Sequence, residues 1–205
     1  MSEELEARGL GRFGYKFIAG VDEVGTGAIA GPIVVAAVLM KWDATHPLIK
    51  DSKAFSSAKK REEALEAVYD IAERCTLEIA PPDEIDLTGH AQALLRLQQS
   101  VIKTIARNVK SSTIVVVDGD RMIKGITNEQ VAIPKADALV TAVSAASILA
   151  KVTRDRLMAR LDDKCMGWGF GKHKGYATPQ HMRLLREQGM ISGVHRASVC
   201  KGLLR

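Results

Sequence analysis

Two uninterrupted apolar runs, rich in β-branched side chains, constrain the fold of this chain more than any other feature. Residues 33–40 are apolar throughout, and residues 113–117 (Thr-Ile-Val-Val-Val) are all β-branched. Strands of this type are buried on both faces, as happens when helices cover both sides of a sheet. The two runs therefore predict buried strands in an α/β core.

Weaker patterns place further strands and helices around these two runs. We predict strands at residues 16–24, 76–80 and 131–133, and helices at residues 57–75, 87–108 and 138–161. Ser56 or Ser57 can cap the first helix, and a last helix begins at Thr178-Pro179-Gln180 with Thr178 as its N-cap. The glycine-rich residues 167–175 are predicted to form a loop.

No repeat or linker divides the chain of 205 residues. Its length suits one globular domain. We expect a single domain over residues 1–205, with a core at about 15–160 and a basic helical C-terminal part at about 161–205.

Basic residues are concentrated in the last quarter of the chain. The formal net charge is +5, but the 55 residues from Lys151 to Arg205 carry +8 and the remaining 150 residues carry −3. A basic surface can hold the phosphates of a polyanion. The same residues can equally form a solvated cationic face, so the charge alone leaves both interpretations open.

Cysteine usage and the first residues bear on the compartment. Cys75, Cys165 and Cys200 are widely spaced and odd in number, which argues against a disulfide framework and a zinc ribbon. Residues 1–6 are polar and acidic, unlike a secretory signal, and the run 33–40 is too short to cross a bilayer. We expect a cytoplasmic protein that does not associate with membranes.

Four carboxylates lie where a predicted strand ends or a helix begins. Asp22 and Glu23 close the first strand, Asp118 follows the run 113–117, and Asp137 precedes the long helix. The ends of neighbouring strands meet at one edge of an α/β sheet, where such folds bind ligands. Carboxylates gathered there repel one another unless hard cations such as Mg²⁺ or Mn²⁺ lie between them, and two such ions can promote phosphodiester cleavage.

Each of these acids also has a purely structural interpretation. Asp137 can be the N-cap of the following helix, and Asp118-Gly119 can be a turn. Asp22 and Glu23 are neighbours in a strand, so their side chains point to opposite faces unless the strand bends. The spacing leaves these alternatives open.

A glycine-rich segment follows the first strand. Residues 25–30 (Gly-Thr-Gly-Ala-Ile-Ala) fit the G-x-G-x-x-A fingerprint of dinucleotide-binding proteins, which requires a helix next. Gly31-Pro32 and the run 33–40 follow instead, which favours a strand. A loop whose backbone N–H groups approach a phosphate or sugar is the other interpretation.

Taken in order, the motifs resemble type 2 ribonuclease H, the bacterial ribonuclease HII family. The resemblance runs from about Phe17 to Ser198. The matching segments are Gly20 to Gly27 with Ala30-Gly31-Pro32, Asp51-Ser52-Lys53 with Lys60-Arg61, Val117-Asp118-Gly119, Lys135-Ala136-Asp137 with Ser144 to Asp155, His173-Lys174-Gly175-Tyr176, and His195-Arg196.

The resemblance implies a ribonuclease H-like fold: a mixed five-stranded sheet flanked by helices, with a helical C-terminal extension. It implies an endonuclease that cuts the RNA strand of RNA–DNA hybrids and cuts 5′ of ribonucleotides embedded in duplex DNA. Asp22, Glu23, Asp118 and Asp137 match the family's four catalytic carboxylates. By this analogy they hold two Mn²⁺ or Mg²⁺ ions, and the products carry 3′-hydroxyl and 5′-phosphate ends. We expect a monomer.

The resemblance also implies contacts to the nucleic acid. The backbone of Gly25, Thr26 and Gly27 would recognise the 2′-hydroxyl at the RNA–DNA junction, and Tyr176 would pack on the sugar beside it. Phosphate contacts are expected from three lysines and, in the long helix, from a serine that can equally be a packing residue: Lys53, Lys172, Lys174 and Ser144.

Some positions depart from the family pattern. Thr26 stands where the family's glycine loop usually carries arginine, and Ala177 stands where glycine usually follows the tyrosine. Thr26 cannot supply a charge, so one phosphate contact is lost and binding should weaken. The alternative function is therefore a catalytically impaired homologue that binds hybrids with altered junction recognition.

Overall fold

The computed structural model of the chain describes residues 9–49 and 57–203, and its centre is a mixed five-stranded sheet. The strands are β1 (Phe17–Val24), β2 (Ile33–Lys41), β3 (Ala72–Ala80), β4 (Thr113–Asp118) and β5 (Gln130–Ile133). Their order across the sheet is β3-β2-β1-β4-β5. β2 is antiparallel to β1 and β3, whereas β4 is parallel to β1 and β5. The predicted α/β class and mixed sheet are confirmed.

Helices cover both faces of this sheet. They are α1 (Ala58–Ile71), α2 (Pro82–Thr88), α3 (His90–Ile105), α4 (Ala136–Leu139), α5 (Thr141–Lys164), α6 (Phe170–His173), α7 (Pro179–Gln188) and α8 (Ala197–Leu203), with short 3₁₀ turns at Leu10–Phe13, Pro47–Ile49 and Lys110–Ser112. One apolar cluster joins the sheet to α1, α4 and α5, and a second joins its other face to α2 and α3. Both faces of β2 are buried, as the run 33–40 predicted.

Two predicted helices are shorter than their sequence patterns. The helix predicted at residues 57–75 ends at Ile71, because the residues that follow pair with β2 and extend β3, with Cys75 opposite Val38. The helix predicted at residues 87–108 is divided at Gly89, whose φ of 85° lies outside the helical region. Strand pairing and one glycine conformation therefore outweigh the periodic pattern.

The long helix begins earlier than predicted and is interrupted. α4 starts at Ala136, the extended Val140 breaks the helix, and α5 continues to Lys164. The predicted loop at residues 167–175 contains the single turn α6. The capping predictions are confirmed, since Ser57 and Thr178 each accept a hydrogen bond from a backbone N–H of their helix. However, α7 is followed by α8, so it is not the last helix.

Gly20 determines how closely α5 approaches β1. A Cβ at this position would lie 2.1 Å from the carbonyl carbon of Ala142 at the start of α5. Such a contact is impossible without displacement of the helix backbone. The missing side chain thus lets α5 lie directly on β1, two residues before Asp22.

The C-terminal part packs on the segment between β1 and β2. Its apolar cluster contains Trp168 and Phe170 together with Ala30, and the rings of three histidines lie against it: His173, His181 and His195. His181 lies on α7, and its side chain is fully buried. The ring packs there because its neighbours Trp168 and Phe170 are aromatic. No helix in the described residues is long and apolar enough to span a bilayer.

Candidate active site

β1 and β4 bring two of the predicted acids together. These strands are parallel, and their register pairs Val21 with Val117, so Asp22 and Asp118 both lie one residue beyond that pair. Parallel neighbours present their carboxyl ends at the same edge of the sheet. The convergence predicted from the sequence is therefore present for these two residues.

Asp22 and Glu23 point towards different faces of the sheet, as expected for neighbours in a strand. The Asp22 carboxylate accepts a hydrogen bond from the Ser147 hydroxyl of α5. On the other face, the Gln98 side chain of α3 donates to Glu23 at 3.4 Å. One helix on each side of the sheet therefore orients one carboxylate.

Burial and like charge act on both carboxylates. Burial raises the pKa of Asp22 from its ordinary 3.8 to about 7, and the negative charges of Glu23 and Asp118 add to this, while bonds from Ser147 and the Glu23 N–H oppose it. Burial also raises the pKa of Glu23, with a further contribution from Asp118 and an opposing bond from Gln98. The charges of Glu23 and Asp118 thus add to the effect of burial on Asp22, and the charge of Asp118 adds to it on Glu23.

Asp118 and Asp137 are linked through the start of α4. The Asp118 carboxylate accepts a hydrogen bond from the Ala136 N–H at 2.7 Å, and Asp137 is the next residue and is buried. The N-cap of α4 is Lys135, so the N-cap interpretation of Asp137 is wrong. The chain bends after Asp118, where Gly119 has a φ of 117°, and the Asp118 carboxylate also caps a helix from another part of the chain.

The donor chemistry of this edge fits hard divalent cations. Its side chains offer carboxylate oxygens, and a cation between them would offset both the burial and the like charges that raise the pKa of Asp22. Within residues 9–49 and 57–203, no three His, Cys, Asp or Glu side chains are gathered closely enough to form a complete ligand set for one ion. An edge of this kind suits ions that keep several water ligands.

The glycine loop turns sharply and leads into a strand. Gly25 has a φ of 89°, and a Cβ there would lie 2.2 Å from Nε of Arg154. The loop closes with a bond from the Ala28 N–H to the Gly25 carbonyl, and β2 follows at Ile33. A dinucleotide-binding fingerprint requires a helix at this point, so that interpretation is wrong.

Tyr176 lies beside this loop. The carbonyl of Gly175 accepts hydrogen bonds from the Ile29 and Ala30 N–H groups at 2.9 and 3.2 Å, which fixes the two segments together. The Tyr176 side chain is 40% exposed, with the Arg154 guanidinium 5.4 Å from its ring centre. The structure therefore places an accessible aromatic ring next to the loop.

The predicted phosphate contacts are only partly located. Lys53 lies outside the described residues. Lys172 is exposed on α6, and the Lys174 ammonium is 3.5 Å from the Asp155 carbonyl. The predicted phosphate contact of Ser144 is not supported. Its side chain is only 2% exposed and its hydroxyl donates to the Ile49 carbonyl, so Ser144 is a packing residue.

Several residues that shape the site had no assigned role in the sequence analysis. Gln98 contacts Glu23, and a helix-surface glutamine carries no signal that could have identified it. For Ser147 the sequence does contain such a signal, because a polar residue stands within the Ala-rich stretch of the long helix. The sequence also contains a signal for Arg154 and Arg196, because both lie within the segments that resemble the family motifs.

Comparisons with known proteins cover the same residues. The family model described as Ribonuclease HII matches residues 19–201. A ribonuclease HII from Fusobacterium nucleatum is 39% identical in an alignment of length 197 that covers 93% of this chain and 88% of the relative. The ribonuclease H2 structure from Pyrococcus horikoshii OT3 has a TM-score of 0.75 at 27% identity and covers 92% of this chain and 97% of its own. Bst-RNase HIII in complex with Mn²⁺ shares the fold, with a TM-score of 0.72 at 17% identity over 95% of this chain and 72% of its own.

Proposed function

This chain belongs to the ribonuclease HII family, and from that premise we propose that it uses divalent cations to cut 5′ of ribonucleotides embedded in duplex DNA. As a ribonuclease H enzyme it acts on the RNA of RNA–DNA hybrids. The products would carry 3′-hydroxyl and 5′-phosphate ends. The observation that carries the proposal is that Asp22, Glu23 and Asp118 all lie at the carboxyl ends of the neighbouring parallel strands β1 and β4, where the charge of Asp118 acts on both other carboxylates.

Asp22, Glu23, Asp118 and Asp137 would hold two Mn²⁺ or Mg²⁺ ions. Bound ions of this kind activate a water and stabilise the leaving oxygen in phosphodiester cleavage. The fold neighbour that binds Mn²⁺ supports this choice of ion. In the absence of cations, burial and repulsion keep part of Asp22 protonated near neutral pH, so cation binding should release a proton.

The loop and Tyr176 would recognise the ribonucleotide. The N–H groups around Gly25, Thr26 and Gly27 can bond to a 2′-hydroxyl, and the exposed face of Tyr176 can pack on the sugar. Lys172 and Lys174 are proposed phosphate contacts in the basic C-terminal part, and Lys53 is a third. A 2′-hydroxyl distinguishes ribonucleotides from deoxyribonucleotides, so this surface would select the cutting position.

The experiment compares cleavage and binding on defined duplexes. Wild type and Asp118→Asn are incubated with DNA containing one ribonucleotide, with a continuous hybrid and with all-DNA duplex, in Mn²⁺, Mg²⁺ or a chelator. We expect metal-dependent cutting of the first two substrates by wild type alone. Binding of both without cleavage by folded wild type, in any metal, would favour the impaired hybrid-binding homologue instead.

We also propose that the protein acts as a monomer. Light scattering of the purified chain, with and without duplex, checks this. A mass near 22 kDa for the free protein is expected from the sequence.

A further inference from the structure

Two buried arginines lie beneath the glycine loop. Arg154 of α5 is 1% exposed and Arg196, just before α8, is 0% exposed. Burying a guanidinium is unfavourable unless its donors are satisfied. Both residues therefore need partners inside the protein.

Those partners are backbone carbonyls of a single segment. Arg154 donates to the Pro32 carbonyl at 2.9 Å and to the Ala30 carbonyl at 3.3 Å. Arg196 donates twice to the Gly31 carbonyl, at 3.0 and 2.9 Å, and once to the Thr26 carbonyl at 3.2 Å. The two side chains together bind four of the seven carbonyls between Thr26 and Pro32.

This bonding orients the loop. Because the carbonyls of Thr26, Ala30 and Gly31 are held from the interior side, the loop cannot rotate its peptide planes freely. Within the described part of the chain, no backbone hydrogen bond uses the N–H of Thr26 or Gly27. These two donors remain available to a ligand at the surface of the loop.

Arg154 also supports the aromatic partner of the loop. Its guanidinium lies 5.4 Å from the centre of the Tyr176 ring, in the range of cation–π contacts. In residues 9–49 and 57–203, no carboxylate lies within ion-pairing distance of Arg154 or Arg196. Their contacts are thus directed to the loop and to Tyr176 rather than to a counter-ion.

We infer that Arg154 and Arg196 are positioning residues, which hold the glycine loop and Tyr176 in the arrangement that selects a ribonucleotide. This inference deepens the proposed function and depends on it for the identity of the ligand. Neither arginine needs to touch the nucleic acid. A planar guanidinium with several donors can bridge two carbonyls at once, which a lysine ammonium on a flexible stem does less well.

Binding without cleavage provides the first test. The affinities for duplex DNA with one ribonucleotide and for the all-DNA duplex are measured by fluorescence anisotropy in a chelator. The ratio of the two is compared for wild type, Arg154→Met, Arg154→Lys, Arg196→Met and Arg196→Lys. We expect the preference for the ribonucleotide to fall about 3- to 10-fold in the methionine variants and less in the lysine variants.

Arg74 offers a matched control. It donates to the carbonyls of Ile105 and Arg107, the same kind of contact, near the opposite end of the sheet. Arg74→Met should keep the wild-type preference. Circular dichroism and thermal melting show which variants are folded. Where a methionine variant does not fold, the lysine variant at the same position is used in its place.

A double-mutant cycle separates positioning from general destabilisation. If Arg154 acts through Tyr176, Arg154→Met should lower kcat/KM about 10-fold in wild type but less than 3-fold in a Tyr176→Ala background. Additive effects, or an unchanged ribonucleotide preference in folded variants, overturn the inference. If wild type prefers the ribonucleotide-containing duplex but does not cut it, the cleavage proposal fails. The binding ratios of the arginine variants then still test the positioning role of Arg154 and Arg196.

Discussion

Asp22 and Asp118 lie side by side at the carboxyl ends of two parallel strands, one residue beyond the paired Val21 and Val117. Burial and the charges of Glu23 and Asp118 together raise the pKa of Asp22 to about 7. Ionised Asp22 at this position lowers the stability of the cation-free protein, and a bound cation would offset that cost. Both consequences can be measured.

The first prediction concerns the stability of the cation-free protein. Because the pKa of Asp22 is 3.8 ordinarily and about 7 when folded, its favourable contribution is full below pH 4 and is lost as pH rises through 7. Asp22→Asn should therefore be more stable than wild type at pH 8, by roughly 1–4 kcal/mol at 1.36 kcal/mol per pKa unit. Urea unfolding in a chelator at pH 8 and pH 4 measures this difference, which should vanish at the lower pH.

Asp163→Asn is the control for this prediction. Asp163 is exposed near the end of α5, so its substitution should change the free energy of unfolding by less than about 0.5 kcal/mol at either pH. If Asp22→Asn destabilises the protein at pH 8, the assigned cost of the buried carboxylate is wrong.

The second prediction concerns cation binding without catalysis. A ligand at 100 times its Kd stabilises the folded state by about 2.7 kcal/mol. Mn²⁺ or Mg²⁺ should therefore raise the melting temperature of wild type by several degrees. The rise should be much smaller for Asp118→Asn. An equal rise in both proteins would place the cation elsewhere.

The third prediction concerns the contact between β1 and α5. Gly20→Ala places a Cβ 2.1 Å from the Ala142 backbone, so we expect a loss of more than about 3 kcal/mol in the free energy of unfolding. Gly202→Ala, in α8 with no heavy atom within 4 Å of the added Cβ, is the control and should be neutral or slightly stabilising. Chemical denaturation of both variants measures the two free energies of unfolding, and an equal result for Gly20→Ala and Gly202→Ala would contradict the prediction.

The fourth prediction concerns acid stability of the C-terminal cluster. Burial, with the neighbouring His181, lowers the pKa of His195 from 6.5 to about 4. Its contribution to stability is therefore full above pH 6.5 and is lost as pH falls through 4, by up to about 3 kcal/mol. Trp168, whose ring centre is 4.8 Å from that of His195, can report this by fluorescence.

A variant isolates the histidine in this experiment. His195→Gln should flatten the dependence of stability on pH between 4 and 6.5, while His46→Gln, at a partly exposed loop position, should keep the wild-type slope. An unchanged slope in His195→Gln would assign the acid sensitivity to other groups.

The fifth prediction concerns the departure at the glycine loop. Thr26 is only partly exposed, but the neighbouring Gly27 is exposed, so an arginine at position 26 can reach solvent and a phosphate. Thr26→Arg should tighten binding to an RNA–DNA hybrid and increase the salt slope by about one unit. Anisotropy titrations at several salt concentrations test this, and an unchanged slope would mean that no phosphate contact is gained.

Local patterns predicted most of the sheet and the position of the acids. The β-branched runs predicted β2 and β4, and the ends of the predicted strands predicted that Asp22, Glu23 and Asp118 lie at one edge of the sheet. The breaks at Gly89 and Val140 were missed, because they depend on backbone conformations that do not disturb the apolar period. The extension of β3 was missed because strand pairing is a long-range interaction.

The residues that surround the site were harder to predict than its acids. Both a phosphate contact and a packing position were open for Ser144, and its hydroxyl donates to the Ile49 carbonyl in the packed interior. The direction of a side chain on a buried helix depends on what packs against it, and that information is not local. Arg154 and Arg196 bind carbonyls far away in the sequence for the same reason.

The most direct test of the central claim is the position and chemistry of the cut on one duplex. Wild type with Mn²⁺ should nick DNA at the 5′ side of a single ribonucleotide, leaving 3′-hydroxyl and 5′-phosphate ends. A chelator or Asp118→Asn should abolish the nick. Cutting at another position, cutting that survives the chelator, or equal cutting of all-DNA duplex would contradict the account.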